Sequence, residues 1–332
     1  MDFSDVKLSL FKHFPKVAIV IEDLTIIGLN EFSEDTLLAA KKVDASAGLF
    51  NVLKGKDIKL YGLFFDSPRI HALMNADGKA NWDIAKASSD TTADADTSAS
   101  AFQLTLKKYE INNGYLLFED KQANTYTELT DLTHSGSGDL TADVFTLSTK
   151  TKAATATLIQ DNIPYLADAK ADIETEIKID NRTNTYTFDT KDIILNDLKL
   201  SAAGFFQLVN DSTYNMDIKF ESPSNDFKSI LSMIPSMYTQ DFSSIKTTGK
   251  AVFNGFVKGT YSPNQIPAYD VNLEVKDGSF QYPDLPKPVK NIQLSLRASN
   301  PDGKPDNSVI NIPKGHLEMD NEPFDFRFIY SK

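Results

Sequence analysis

Four histidines, His13, His71, His134 and His316, are the side chains best suited to proton transfer or metal binding near neutral pH. They stand far apart, with no HExxH or other ligand spacing among them, so each reads as a structural or surface residue. Serines are many, yet no GxSxG elbow occurs and no Ser-His-Asp order stands out. Neither GxxxxGK[ST] nor GxGxxG is present. Cysteine is absent, which removes disulfides, thiolate ligands and cysteine nucleophiles. Glu174 with Glu176, and Asp94 with Asp96, are the carboxylate pairs whose types suit acid–base work. The glutamates lie two apart on the polar side of a strand pattern, where charges are ordinarily solvated. The acidic run around Asp94 lacks the glycine and the spacing of a calcium loop. The expectation is a protein without catalytic residues, metal or cofactor.

What the sequence repeats is an oily face. In Tyr269–Asp284, Tyr269, Val271, Leu273 and Val275 alternate with Asp270, Asn272, Glu274 and Lys276, the period-2 signature of a strand with one dry side. Asp277-Gly278 supplies a φ > 0 step, read here as a tight hairpin turn, after which Phe280 and Tyr282 resume the alternation. Ile111-Asn112-Asn113-Gly114, leading to Leu116 and Phe118, writes the same sentence, and Ile312-Pro313-Lys314-Gly315, leading to Leu317 and Met319, echoes it. A repeated amphipathic hairpin predicts a sheet with a long apolar face. The same alternation runs through Ile173, Ile177 and Ile179, and through Met216, Ile218 and Phe220.

The elements that must present this face are nearly all strands. Turn clusters at 180–184 and 210–212 punctuate them at the spacing of all-β folds. Helices are predicted at about 2–14, from Phe3, Val6, Leu10 and Phe14 with Pro15 as stop, at 33–40 behind a Ser33 cap, and at 225–237, where Phe227, Ile230, Leu231 and Ile234 share a side. Helices that fail to alternate with strands exclude a doubly wound α/β fold, so the sheet is expected to be mostly antiparallel. The small polar and acidic stretch 86–101 reads as a solvated loop. It divides an amino-terminal unit, 1–85, from a region of repeated hairpins, 102–332. Trp82 follows the Asp77-Gly78 turn and reads as core or rim packing. The proline-rich 283–288 reads as a rigid connection between strands rather than a ligand for a proline-recognition domain.

The chain has 332 residues, with 46 acidic against 34 basic side chains and a net charge of −12. That balance, without a basic cluster, excludes nucleic acid as the expected partner, and it disfavours charge-driven docking on an anionic bilayer. An apolar fraction of 41% is that of a folded protein rather than a disordered one. No apolar run is long enough to span a bilayer as a helix.

Two passages resemble the AsmA-like family, in the form it takes in Bacteroidetes-type bacteria. The first is FPKVAIVIEDLTIIG at 14–28, a helix-like stretch, two strands, and NADGKANWDI at 75–84; Phe14-Pro15, Pro68, Ile70, Asp77-Gly78 and Asn81-Trp82 occupy the family's places. The second is residues 249–296, similar to a later repeat of those proteins. Together the passages cover about 115 residues of the chain, and neither marks an active site. The resemblance implies a periplasmic protein held in the inner membrane by an amino-terminal helix that precedes Met1. It also implies kinship with TamB-like and bridge-like lipid-transfer proteins, whose sheets curl into an apolar-lined groove (a β-taco). Such proteins serve outer-membrane homeostasis and phospholipid movement.

The expectation is therefore a mainly β, mostly antiparallel, curved sheet forming an apolar groove that binds phospholipid or fatty acyl chains. Its candidate lining is Ile173, Ile177, Ile179, Met216, Ile218, Phe220, Val271, Leu273, Val275, Phe280 and Tyr282. Because the clean pattern Phe324-Asp325-Phe326-Arg327-Phe328-Ile329-Tyr330 stops abruptly, the chain is expected to be part of a longer protein. The alternative is an envelope scaffold with a filled β core that recruits protein partners by strand addition. A hydrolase or glycan-active enzyme is the remote third reading, and a cleft with two perturbed carboxylates is what would reveal it.

Overall fold

The computed structural model describes residues 1–13, 16–48, 59–84, 103–210, 212–222, 225–233, 245–281 and 287–331. The fold is mainly β: the described residues form seventeen strands, two 3-10 turns and one short α-helix. None of the described helices is long and apolar enough to cross a membrane. The chain divides into two compact units, 1–167 and 168–332, each taken by itself below. Residues 86–101, the expected boundary, lie outside the described residues.

In the first unit, β1 (Asp5–His13), β2 (Lys16–Ile27), β3 (Thr36–Gly48) and β4 (Lys59–Met74) pair successively antiparallel. β5 (Gln103–Asp120) then pairs parallel to β4, and β6 (Thr125–Ser137) and β7 (Val144–Gln160) continue antiparallel. The parallel pair is the exception to the antiparallel rule. It requires a crossover connection, and residues 75–102 supply that connection.

In the second unit, β8 (Ile163–Asp180, from Asp168 onward), β9 (Thr185–Leu195), β10 (Leu198–Asn210) and β11 (Thr213–Glu221) form a meander. β11 pairs with β13 (Lys246–Tyr261), which also holds the two-residue β12 (Asn225–Asp226). β14 (Ala268–Gln281), β15 (Val289–Asn300), β16 (Val309–Met319) and β17 (Glu322–Ser331) follow in order, all antiparallel.

Two of the three expected helices are strands. Residues 2–14 contain β1, where Val6 lies opposite Ile21 and Leu8 opposite Ile19, with Lys7 bonded across to Glu22 at 2.9 Å. Val6, Leu8 and Leu10 alternate as a strand does, while Phe3, Val6, Leu10 and Phe14 fit a helical stripe, and so short a pattern is settled by its ladder partner. Residues 33–40 hold a turn and then β3, since Leu38 pairs with Ile26 on one side and Ile70 on the other. The third survives only as α1 (Phe227–Leu231), a five-residue turn of helix. Residues 234–237 of that expectation lie outside the described residues.

The repeated hairpin is a repeated bulge. β14 runs unbroken through Asp277-Gly278, and both Val275 and Gly278 pair with the same neighbour, at Leu294 and Ile292 of β15. Ile111 and Gly114 likewise both pair with β6, and Ile312 and Gly315 both with β17. Asn113 and Asp277 take φ of +53° and +51°, left-handed values that Asn and Asp tolerate. Inside a paired strand such a step inserts an extra residue and bends the strand instead of reversing it. Further left-handed residues, Asp23, Ser67 and Asp131, occupy matching places in β2, β4 and β6, and Asn113 Nδ2 donates to Ser67 Oγ at 3.2 Å.

Candidate functional site

Directly opposed residues of a ladder share a face, and the pairing therefore assigns sides in the second unit. Ile179 opposes Tyr186, which opposes Phe206, then Met216 and Gly259. The next row runs Ile177, Phe188, Gly204, Ile218, Val257 and Tyr269. Beyond it lie Ala202, Phe220, Gly255, Val271 and Ala298, then Phe253, Leu273 and Leu296. On β17 the same side carries Phe326 opposite Gly315 and Phe328 opposite Ile312. One continuous apolar face thus crosses strands β8 to β17.

Ten of the eleven candidate residues stand on this face: Ile173 (opposite Ile193), Ile177, Ile179, Met216, Ile218, Phe220, Val271, Leu273, Val275 and Phe280. Tyr282 lies outside the described residues. Burial then separates the ten. Val275 is 2% exposed and joins Phe227, Ala251, Val289 and Ile292 in a filled cluster, with Leu273 and Phe280 packed against it. Met216, Ile218, Phe220 and Val271 are only half-buried, as are Phe206 and Phe253 between them. Phe220 and Phe253 rings stand 5.3 Å apart, and Tyr214 lies 5.3 Å from Phe206 and 6.1 Å from Tyr261. These aromatic contacts line the face without closing it. Phe328, at 49% exposure, continues it onto β17.

The opposite side is mostly polar and self-paired, with Val252 and Phe256 exposed on it. β13 shows the contrast, with Asn254 and Lys258 exposed between the more covered Phe253, Gly255 and Val257. Lys258 Nζ meets Asp217 at 2.7 Å, and Arg297 forks onto Asp270, its Nε at 3.0 Å. The Arg297 guanidinium, with help from Asn272, holds the Asp270 carboxyl below the usual carboxylate range. A shallow recess of about 500 Å³ surrounds this pair, lined also by Lys219, Asn254 and Phe256. Its carboxylate is stabilised as an anion, which is the wrong direction for a general acid.

The first unit has a corresponding apolar side. Val6, Ile21, Val43, Phe65 and Ile111 form one row across β1 to β5, and Ile26, Leu38, Ile70, Leu116 and Leu129 another. Trp82 stacks on Phe118 of this side at 6.1 Å between centroids. A polar chain enters it: Tyr109 Oη bonds His134 Nε2 at 3.0 Å, and His134 Nδ1 bonds Thr151 Oγ1 at 2.8 Å. Burial pushes the His134 pKa down and the Tyr109 pKa up, so both are neutral near pH 7.

On the other side of this unit, Glu128 accepts hydrogen bonds from Tyr115 at 2.7 Å and Tyr126 at 3.1 Å, while His71 bonds Glu119 at 2.8 Å. Sequence reasoning missed this cluster, because its members come from three strands and no linear spacing joins them. Among the described residues every other carboxyl with a displaced pKa, namely Glu31, Asp139, Asp180 and Asp302, is also lowered, by Lys79, Lys107, Arg182 and the Lys304 backbone respectively. Among the described residues no three His, Cys, Asp or Glu side chains gather as a metal site. Glu174 and Glu176 are exposed. Of the four histidines, His316 bonds Asp325 at 2.8 Å on the polar side of β16, and His13 has no described side chain.

The passages that carried the family resemblance have structural work of their own. Asn81 is fully buried; its Oδ1 accepts from Leu73 N at 3.0 Å and its Nδ2 donates to His71 O at 2.8 Å. It serves the β4 backbone where β3 has ended. The turn NADGK at 75–79 is matched by NPDGK at 300–304, with Gly78 and Gly303 both at φ +77°. Phe14-Pro15 lies outside the described residues. No protein-family description, curated protein sequence or solved structure matches the chain.

Proposed function

We propose that the chain is a non-enzymatic β-sheet module whose apolar face binds or conducts the acyl chains of phospholipids or fatty acids. In this reading it works in the periplasm as an AsmA-like protein, anchored to the inner membrane and supporting outer-membrane lipid homeostasis. One observation carries the proposal: rows of directly opposed apolar residues cross β8 to β17 on a single side, and Phe206, Met216, Ile218 and Phe253 among them are left half-covered. An acyl chain is held by area and shape, at about 0.8 kcal/mol per buried CH₂, so such a site needs no polar constellation.

The test is native mass spectrometry of the purified chain for bound lipid, followed by displacement of a fluorescent fatty acid. Ile218→Asp, on the apolar side, is expected to abolish binding. Lys219→Glu, its neighbour on the opposite side, is expected to leave binding intact. Lipid-free protein with no probe binding, or equal loss in both variants, refutes the proposal.

A second reading, a scaffold recruiting envelope proteins by strand addition, is favoured by β17. Among the described residues it pairs only with β16, and Phe324, Phe328 and Ile329 are exposed along it. A stable protein partner lost on Ile329→Pro would favour this reading over the first.

A further inference from the structure

The apolar face of the second unit is half-covered on one side and filled on the other, and α1 does the filling. Phe227 is 7% exposed and sits over Gly278 of β14. A Cβ at Gly278 would lie 3.2 Å from the Phe227 ring and 2.9 Å from Val275, so the missing side chain is the hole into which the phenyl ring fits. Ile230 and Leu231 pack beside it on the same cluster.

Both ends of this segment are tied down. Before the helix, Asn225 and Asp226 pair with Ala251 and Lys250, and Lys250 Nζ meets Asp226 Oδ1 at 2.5 Å. After it, Asn196 Nδ2 donates to Ser232 O at 2.6 Å, and Asp197 N donates to Ser232 Oγ at 3.3 Å. A segment fastened to β13 at one end and to the β9–β10 turn at the other is a wall, not a swinging lid.

Resting on the acyl-chain reading above, we infer that α1 is a built-in stop: Phe227 fills the Val275–Ile292 side of the face, and acyl chains are confined to the side bearing Phe206, Met216 and Ile218. Phe227 then determines how much of the face a lipid covers. The apolar contacts it makes with Val275 and Ile292 are those an acyl chain would make in its place, so the two compete for one surface.

The experiment is photo-crosslinking of the full chain with a fatty acid bearing a terminal diazirine, with adducts mapped by peptide mass spectrometry. In the wild type, adducts are expected around Phe206, Met216 and Ile218, and none at Val275 or Ile292. In Phe227→Ala, adducts at Val275 and Ile292 are expected to appear, at about fourfold or more above the crosslinking background, the affinity ratio of a single additional covered methylene. Phe227→Leu keeps an apolar contact over Gly278 and is expected to give a smaller rise. Wild-type adducts already present at Val275 and Ile292 overturn the stop, as does an unchanged map in a folded Phe227→Ala. Should the alanine variant not fold, the wild-type map and the leucine variant decide. Absence of adducts anywhere on folded protein refutes the acyl-chain reading itself, which separates the two failures.

Discussion

Replacing Asn81 by alanine isolates one structural device of the first unit. The last β3 partner of β4 is Leu38, opposite Ile70. Beyond that point the His71 carbonyl and the Leu73 amide have no strand on that edge, and the Asn81 side chain serves both, at 2.8 and 3.0 Å. Its own amide adds a bond to Leu73 O at 2.9 Å, which the alanine variant keeps. Truncation leaves one N–H and one C=O buried without a partner, at roughly 1–3 kcal/mol each before water entry relieves some of the cost. A net loss of about 2–4 kcal/mol is expected, which accelerates exchange of the Leu73 amide by roughly 30- to 1,000-fold if exchange proceeds through local opening. Hydrogen exchange resolved by NMR is the assay, because a chain of two units does not guarantee a single unfolding transition. Lys79→Ala, which removes an exposed ion pair to Glu31 in the same turn, is the control expected to change exchange little. Leu73 exchange within about twofold of wild type in Asn81→Ala would show that the asparagine is not the partner of that edge.

Glu128→Gln separates two causes acting on neighbouring tyrosines, read by ultraviolet titration. Tyr126, pushed up to about 12 mainly by burial, is expected to fall only partway, whereas Tyr115, raised mainly by its bond to Glu128, returns most of the way to the ordinary phenol value. Acid sensitivity is expected from His134, which burial holds below the ordinary histidine pKa of 6.5. The unfolded chain takes up this proton first on acidification, so the stabilisation is complete above about 6.5 and lost as pH falls through the depressed value. His134→Asn is expected to flatten that part of the stability–pH curve; an unchanged slope refutes it. Gly136→Ala would place a Cβ 2.3 Å from the Tyr109 ring, so loss of the Tyr109–His134 bond is expected, visible as a shift of the His134 ring resonances.

Much of the candidate face was legible because alternation is a local property. Val271, Leu273 and Val275 announce one side of β14 without reference to anything distant, and the same holds for Met216, Ile218 and Phe220. The 75–79 turn was equally legible, since Asn-x-Asp-Gly carries its own side-chain bonds to the backbone. The Glu128 cluster and the Tyr109–His134–Thr151 chain were not, because each is assembled by ladder register across separate strands.

The errors share a cause. A left-handed residue at Asp277 reverses a strand when the flanking segments pair with each other, and bends it when both pair with a third. The residues Asp277-Gly278 are the same in either case, and only β15 lying alongside both halves decides for the bulge. Val6 similarly satisfies a helical stripe with Phe3 and Leu10, or a strand, until Ile21 stands opposite it. What the sequence by itself determined is the strand-rich class, the two-sidedness of each ribbon and the chemistry of each side, all properties of neighbouring residues. Tertiary structure alone decided which turns were bulges, that β4 and β5 run parallel, and that Phe227 fills one side of the apolar face while Met216 and Ile218 are left half-covered. Those outcomes depend on which distant segments share a ladder, and period-2 alternation is identical for every partner.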